Sequence, residues 1–374
     1  MAADLALPIP SRSITELKPT AVLRLGKTAD WVAITPDAVW AGSTGPNAVH
    51  HIDPRTNQLL ATVELGGEPC SGLAVGFGSV WVPLCGKPST LAKVDAARNV
   101  VSAVFPTGPA GSEGGVTTSA DSVWVVTDKD GSLARIDPDT GTVRQTVRVP
   151  AGSYNPRFHE GRVWVTRADG AEITAVDATT GAVLGTTKTG PGPRFLASGA
   201  GSIWTLNQGD GTLTRVDAHS RQATQTIALG TPGHGGDITF AAGLIWTTMW
   251  KVPLSAVDTT DSKLLCQWVG PGGDSLGIGH DAIWLTDYHG GTISRLELQD
   301  AVNRCWQLPK AMAPLPPKYF VRRHRLRRDN RPTKPKIPCW DGGLAPTVSS
   351  NGSGSVAWLR CIGPPARTKN FVSR

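Results

Sequence analysis

The stretch SVWVVTDKDGSLARIDPDTG, Ser122 to Gly141, sets Trp124 inside an alternating β run, follows it with an Asp-Gly turn, and ends on Ile136, Asp137 and a second turn. A residue needed for chemistry is needed once, whereas a residue needed for architecture returns at a fixed interval. This phrase returns in AVWAGSTGPNAVHHID (Ala38 to Asp53), SVWVPLCGKPSTLAKVD, RVWVTRADGAEITAVD, SIWTLNQGDGTLTRVD, LIWTTMWKVPLSAVD and AIWLTDYHGGTISRLE. Seven tryptophans mark the copies, Trp40, Trp81, Trp124, Trp164, Trp204, Trp246 and Trp284, at intervals of 38 to 43 residues. Acidic residues mark them too: Asp53, Asp95, Asp137, Asp177, Asp217, Asp258 and Glu297. The interval is the length of one four-stranded propeller blade.

Each copy divides into short β runs separated by turn chemistry, with no helical period. Around Trp124 the reading is GVTT for an inner strand, SVWVVT for a second, SLARID for a third and TVRQTVRV for an outer fourth. The Gly of DKDG tolerates positive φ without a Cβ clash, which suits a hairpin. Asp137 opens DPDTG, where a carboxylate accepts backbone N–H groups. The marker Trp and Asp are therefore expected to be structural: the ring fills the wedge between blades and the carboxylate holds a turn. The fold expected is all-β, a seven-bladed β-propeller, whose closure removes exposed sheet edges. AVLRLGKTADW (Ala21 to Trp31) ends like an outer strand yet precedes the first blade, so an N-terminal strand is expected to close the last blade. CWQLP (Cys305 to Pro309) competes for the same place.

The expected organisation is an extension over residues 1–19, the propeller over 20–309 and a tail over 310–374. The chain carries a formal charge of +7, but from Lys310 onward it has 14 Lys and Arg against 2 Asp and Glu. The tail is therefore +12, which leaves −5 for residues 1–309. The Pro-rich run FVRRHRLRRDNRPTKPK reads as an irregular basic tail, disordered or loosely packed. Binding to nucleic acid or an anionic surface is expected through this tail or not at all. No stretch of about 18 apolar residues is present, so no transmembrane segment is expected. The start MAADLALPIP lacks the pattern of a signal peptide as written.

Six cysteines fit an oxidising compartment. Cys70 lies in the loop leaving the first blade and Cys85 in the hairpin of the second, on one face of the ring, and these two are the disulfide expected. Cys266 and Cys305 are read as outer-strand positions on neighbouring blades, where the rim opens beyond the roughly 7 Å that a disulfide spans. They are expected to be free or paired elsewhere.

In a propeller the inter-blade loops and the hairpins between second and third strands gather on one face, around the channel mouth, where ligands bind. Residues that break the repeat there are the candidates. Tyr154, Arg157, Arg194 and Trp250 are expected to bind a small polar molecule, or a peptide or protein. The same loops bring Asp30, Trp31, Glu113, Asn155, Asp237, Asp274 and Ser275 towards the channel. His234, between glycines, and the Asp287-Tyr288-His289 hairpin place two imidazoles and a carboxylate on adjoining blades, a set able to hold a divalent metal or act as a base. The sequence has no HExxH, no GxSxG, no P-loop and no paired-Cys zinc spacing. His50 and His51 lie in a strand and are expected to pack there.

Across residues 20–309 the repeated VW-turn-VD phrase resembles the YVTN-type bacterial propellers and the related streptogramin (virginiamycin B) lyases. The resemblance is specific for architecture and weak for activity. It implies a periplasmic or secreted protein. In the lyases a magnesium-assisted elimination opens a cyclic depsipeptide, with a histidine base and acidic metal ligands on late-blade loops. Carried over, this implies His289 or His234 as base and Asp287 as a magnesium ligand. Here Asp287 replaces a longer Glu, and no second acidic ligand stands at a matching position. A binding propeller is the first expectation, with no cofactor required, and a metal-dependent C–O lyase is the alternative.

Overall fold

The computed structural model describes residues 11–306 of the 374-residue chain. Within them seven β-sheets follow one another along the sequence. From the inside outward the first blade uses Thr28–Ile34, Val39–Thr44, Ala48–Asp53 and Gln58–Glu64. The third uses Val116–Thr118, Val123–Val126, Ser132–Ile136 and Val143–Arg148, within two residues of the ends read from the sequence. Inner strands of successive blades touch, and that of the seventh touches that of the first, so the ring is closed. The fold is an all-β, seven-bladed propeller.

All seven marker tryptophans are wholly buried. Each sits on the second strand of its blade and pairs with an inner-strand residue: Ala33 with Trp40, Ala74 with Trp81, Thr117 with Trp124, Arg157 with Trp164. The acidic markers hold turns. Asp137 Oδ1 accepts from the backbone N–H groups of Asp139 and Thr140, both at 2.8 Å. These bonds, with the Arg144 guanidinium, hold its carboxyl far below the ordinary range. Asp53, Asp95, Asp177, Asp217 and Asp258 accept in the same way. Glu297 departs from the pattern and pairs with Arg295.

Two N-terminal strands join the ring. Ala21–Arg24 pairs antiparallel with Thr292–Glu297 and supplies the outer strand of the seventh blade. Ser11–Ser13 runs parallel to Lys263–Val269 as a fifth strand of the sixth blade, and Leu17 behind it is buried with Trp246 and Trp268. Of the C-terminal competitor for closure, the described residues Cys305 and Trp306 are helical. Cys305 lies in a nine-residue helix, Leu298–Trp306, contrary to the reading of a helix-free chain.

That helix corrects the cysteine reading as well. Cys266 and Cys305 form a disulfide with Cα atoms 5.3 Å apart. The expected separation assumed two outer strands splayed at the rim. Instead, Leu298, Ala301, Val302 and Cys305 form the apolar stripe of a helix that packs across the sixth and seventh blades, beside Trp268 and Leu296. Cys70 and Cys85 are also disulfide-bonded, with Cα atoms 5.6 Å apart. The basic segment from residue 310 onward lies outside the described residues, as do Gln307 to Pro309.

Candidate functional site at the channel mouth

Two polar relays tie the blades together where the inner strands begin. Asn155, on the fourth blade, accepts from the Gly115 N–H of the third and donates to the Arg194 carbonyl of the fifth at 2.8 Å. Across the channel, Ser275 Oγ accepts from the Val32 N–H at 3.2 Å and donates to Asp237 Oδ2 at 2.8 Å, linking the first, sixth and seventh blades. At both places a side chain supplies the bonds that a gap between sheets would leave unmade.

Above these relays the mouth is acidic. Asp30, Glu113, Asp237 and Asp274 line a constriction of about 50 Å³, together with Trp31, Asn155 and Phe195. Asp30 is 7% exposed, and its Oδ1 accepts from the Trp31 N–H at 2.8 Å, in a bulge where Trp31 has φ of 47°. Asp274 is also 7% exposed and accepts from the Gly236 N–H at 2.8 Å. Asp30 and Asp274 face each other at the closing seam, near enough for their charges to interact. Burial, then the neighbouring carboxylate, holds the Asp30 carboxyl well above its usual range. Burial raises Asp274 too, and pushes Asp237 up to about 6. Among the described residues only Glu113 of the four has an ion-pair partner, Arg194 at 2.8 Å. The Arg194 guanidinium also lies 5.0 Å from the Tyr154 ring centroid, a cation–π contact.

The residues named from the sequence fall in three places. Tyr154, Arg194 and Trp250 stand at the mouth. Trp250 is 45% exposed at the tip of the sixth-blade hairpin, its ring 5.5 Å from that of His289 on the seventh. Tyr288 meets His289 edge-on at 5.2 Å. Arg157 lies deeper, lining the channel itself. Its side chain is open to the water of the channel, and the surrounding ring of protein lowers its pKa, opposed by the charge of Asp237. His234, His289 and Asp287 do not assemble into a metal centre: among the described residues no three His, Cys, Asp or Glu side chains are placed to hold an ion. Asp287 Oδ1 instead accepts from the Gly290 N–H at 3.0 Å and holds its hairpin. His50 is buried between Ser43 and Thr62, and His51 stacks on Trp40 at 4.6 Å.

The Asp30–Asp274 pair escaped sequence reasoning. Both residues are read from the sequence as facing the channel. Their contact, however, arises only because the first and seventh blades meet at the closing seam, so no local pattern carries it.

Among curated proteins none matches this chain. Among solved structures, BamB from Moraxella catarrhalis superposes with a TM-score of 0.54 at 13% identity, covering 75% of this chain and 97% of that one, a likeness of fold alone. The family model described as outer membrane protein assembly factor BamB matches residues 45–243, from the hairpin of the first blade to the first turn of the sixth. That span is more than half of the 374 residues, and the chain belongs to this family of propellers.

Proposed function

We propose that this chain is a binding propeller that takes a protein or peptide partner on its channel-mouth face, with a basic side chain of the partner entering the acidic constriction. The observation that carries the reading is Trp250. The seven marker tryptophans are wholly buried, yet this one is 45% exposed on the face where the loops converge. An exposed aromatic beside a charged pocket is the composition of an interaction hot spot. Its ring rests 5.5 Å from that of His289 on the next blade, which supports it before any partner arrives. Asp30, Asp237 and Asp274 lie within reach of the same mouth without an ion-pair partner. A partner's Lys or Arg would favour the ionised carboxylates and restore the charge that burial suppresses.

Membership of a family described as an outer membrane protein assembly factor supports a protein or peptide as the partner. Two disulfides among the described residues support an exported protein in an oxidising compartment. Panning a phage-displayed random peptide library tests the reading. Enriched peptides are expected to carry Lys or Arg beside an aromatic or apolar residue, and to bind about tenfold more weakly to Trp250→Ala and Asp274→Asn. Enrichment of peptides without basic residues, or equal binding by both variants, would contradict it.

A further inference from the structure

The inner-strand position paired with the marker tryptophan is small in six blades and large in one. It is Ala33, Ala74, Thr117, Ala197, Thr239 and Gly277 in the first, second, third, fifth, sixth and seventh blades. In the fourth blade it is Arg157, paired with Trp164. The small residues leave a channel cavity of about 420 Å³, and Arg157 is the one cation among the residues that line it.

The guanidinium has five N–H donors in a planar fork. Among the described residues it makes no hydrogen bond and no ion pair, whereas Arg194 and Arg215 are both bonded. Asp237 shares the cavity but does not close on it. Its Oδ1 accepts from the Ile238 N–H at 2.7 Å and its Oδ2 from Ser275 at 2.8 Å, so both oxygens are used on their own side of the channel. Burial also keeps that carboxyl partly protonated near neutrality, which weakens its claim on the arginine. The remainder of the wall mixes the polar side chains of Thr117, Thr118, Thr239 and Ser275 with apolar ones. Ile34, Val75, Phe158, Leu196 and Ile278 come from the inner strands on every side.

We propose that this cavity is a binding site for a small amphipathic carboxylate, whose carboxylate takes the fork of Arg157 while its hydrocarbon body lies along the apolar side chains of the wall, Ile34, Val75, Phe158, Leu196 and Ile278. A planar guanidinium matches a carboxylate with two parallel N–H···O bonds, and such a pair is charge-assisted. The volume fits the range of small-molecule sites. The site does not depend on partner binding at the mouth and uses none of Trp250, Asp30 or Asp274.

Calorimetric titration with octanoate, octanamide and acetate tests it. Octanoate is expected to bind, with octanamide about tenfold or more weaker for lack of charge, and acetate weaker still for lack of an apolar body. Arg157→Gln is expected to abolish the preference for octanoate over octanamide, and Arg157→Lys to keep part of it, with peptide binding at the mouth unchanged in both. Should the glutamine variant fail to fold, the Nε–Hε resonance of Arg157 in the unmodified protein is expected to move with octanoate and not with octanamide. Equal binding of octanoate and octanamide, undiminished octanoate binding by folded Arg157→Gln, or no response to octanoate would each overturn the proposal.

Discussion

The seven marker tryptophans are alike in burial but differ in what their indole nitrogens meet, and Trp→Phe substitution separates the two cases. Trp204 donates to the Gly199 carbonyl at 3.1 Å, and the Arg215 guanidinium lies 4.9 Å from its ring. Trp284 is equally buried, yet its N–H has no acceptor among the described residues. Phe in place of Trp removes the same volume at both, a loss of about 1 kcal/mol by the cost of a residual cavity. At Trp204 it also removes a hydrogen bond of about 1 kcal/mol and weakens a cation–π contact of about 0.5–1 kcal/mol. At Trp284 it removes a buried donor without a protein acceptor, which returns about 1–2 kcal/mol. Trp204→Phe should therefore cost about 2–3 kcal/mol and Trp284→Phe close to nothing. Urea unfolding measures this as a difference in midpoint at equal slope. If Trp284→Phe costs as much as Trp204→Phe, the assignment of these nitrogens is wrong.

Other outcomes follow from the same structure. Burial pushes the Asp237 carboxyl up to about 6, so the folded state holds its proton more tightly than the unfolded chain does. The resulting destabilisation is full above that value and fades as pH falls towards the ordinary carboxylate range. Asp237→Asn should thus raise stability by roughly 1–3 kcal/mol at about pH 8 and give almost no gain near pH 4, as thermal melts at the two pH values will show. Cys70 and Cys85 are separated by 15 residues and Cys266 and Cys305 by 39, so replacing each pair with serine should cost about 3 and about 4 kcal/mol respectively in denaturant midpoints. Removing residues through Leu25 strips the outer strand from the seventh blade and a buried leucine from its core. Loss of at least about 2–5 kcal/mol and concentration-dependent association through the bared edge are expected by melting and light scattering.

The blade was legible because its signals are local and repeated. A tryptophan on the second strand and an aspartate after the third recur at one interval, and the Asp side chains bond to backbone N–H groups two or three residues onward. Closure by Ala21–Arg24 was legible for the same reason, since that segment has the ending of an outer strand. The helix Leu298–Trp306 was overlooked although its spacing of Leu298, Ala301, Val302 and Cys305 is helical, because it follows seven repeats of pure β pattern. The error then carried to Cys266 and Cys305, whose distance depends on which element holds the second cysteine. At the mouth, individual residues could be assigned to the correct face from loop position. Their pairing could not, because Arg194 with Glu113 and Asp30 with Asp274 join segments far apart in sequence. Lys129, in the turn of the opening stretch, lies near Tyr154 and Arg167 at the same face, whereas Asp128 accepts from the Ser132 N–H and belongs to its hairpin.

The central claim is that the channel-mouth face is the one that binds. Hydrogen exchange measured by mass spectrometry, with and without a saturating basic peptide selected by panning, tests it most directly. Slowed exchange is expected in the loops that carry Glu113, Gly235, Trp250 and His289, with the outer strands Gln58–Glu64 and Val143–Arg148 unchanged. Protection confined to outer strands, or to the turns held by Asp137 and its counterparts on the opposite face, would contradict the account.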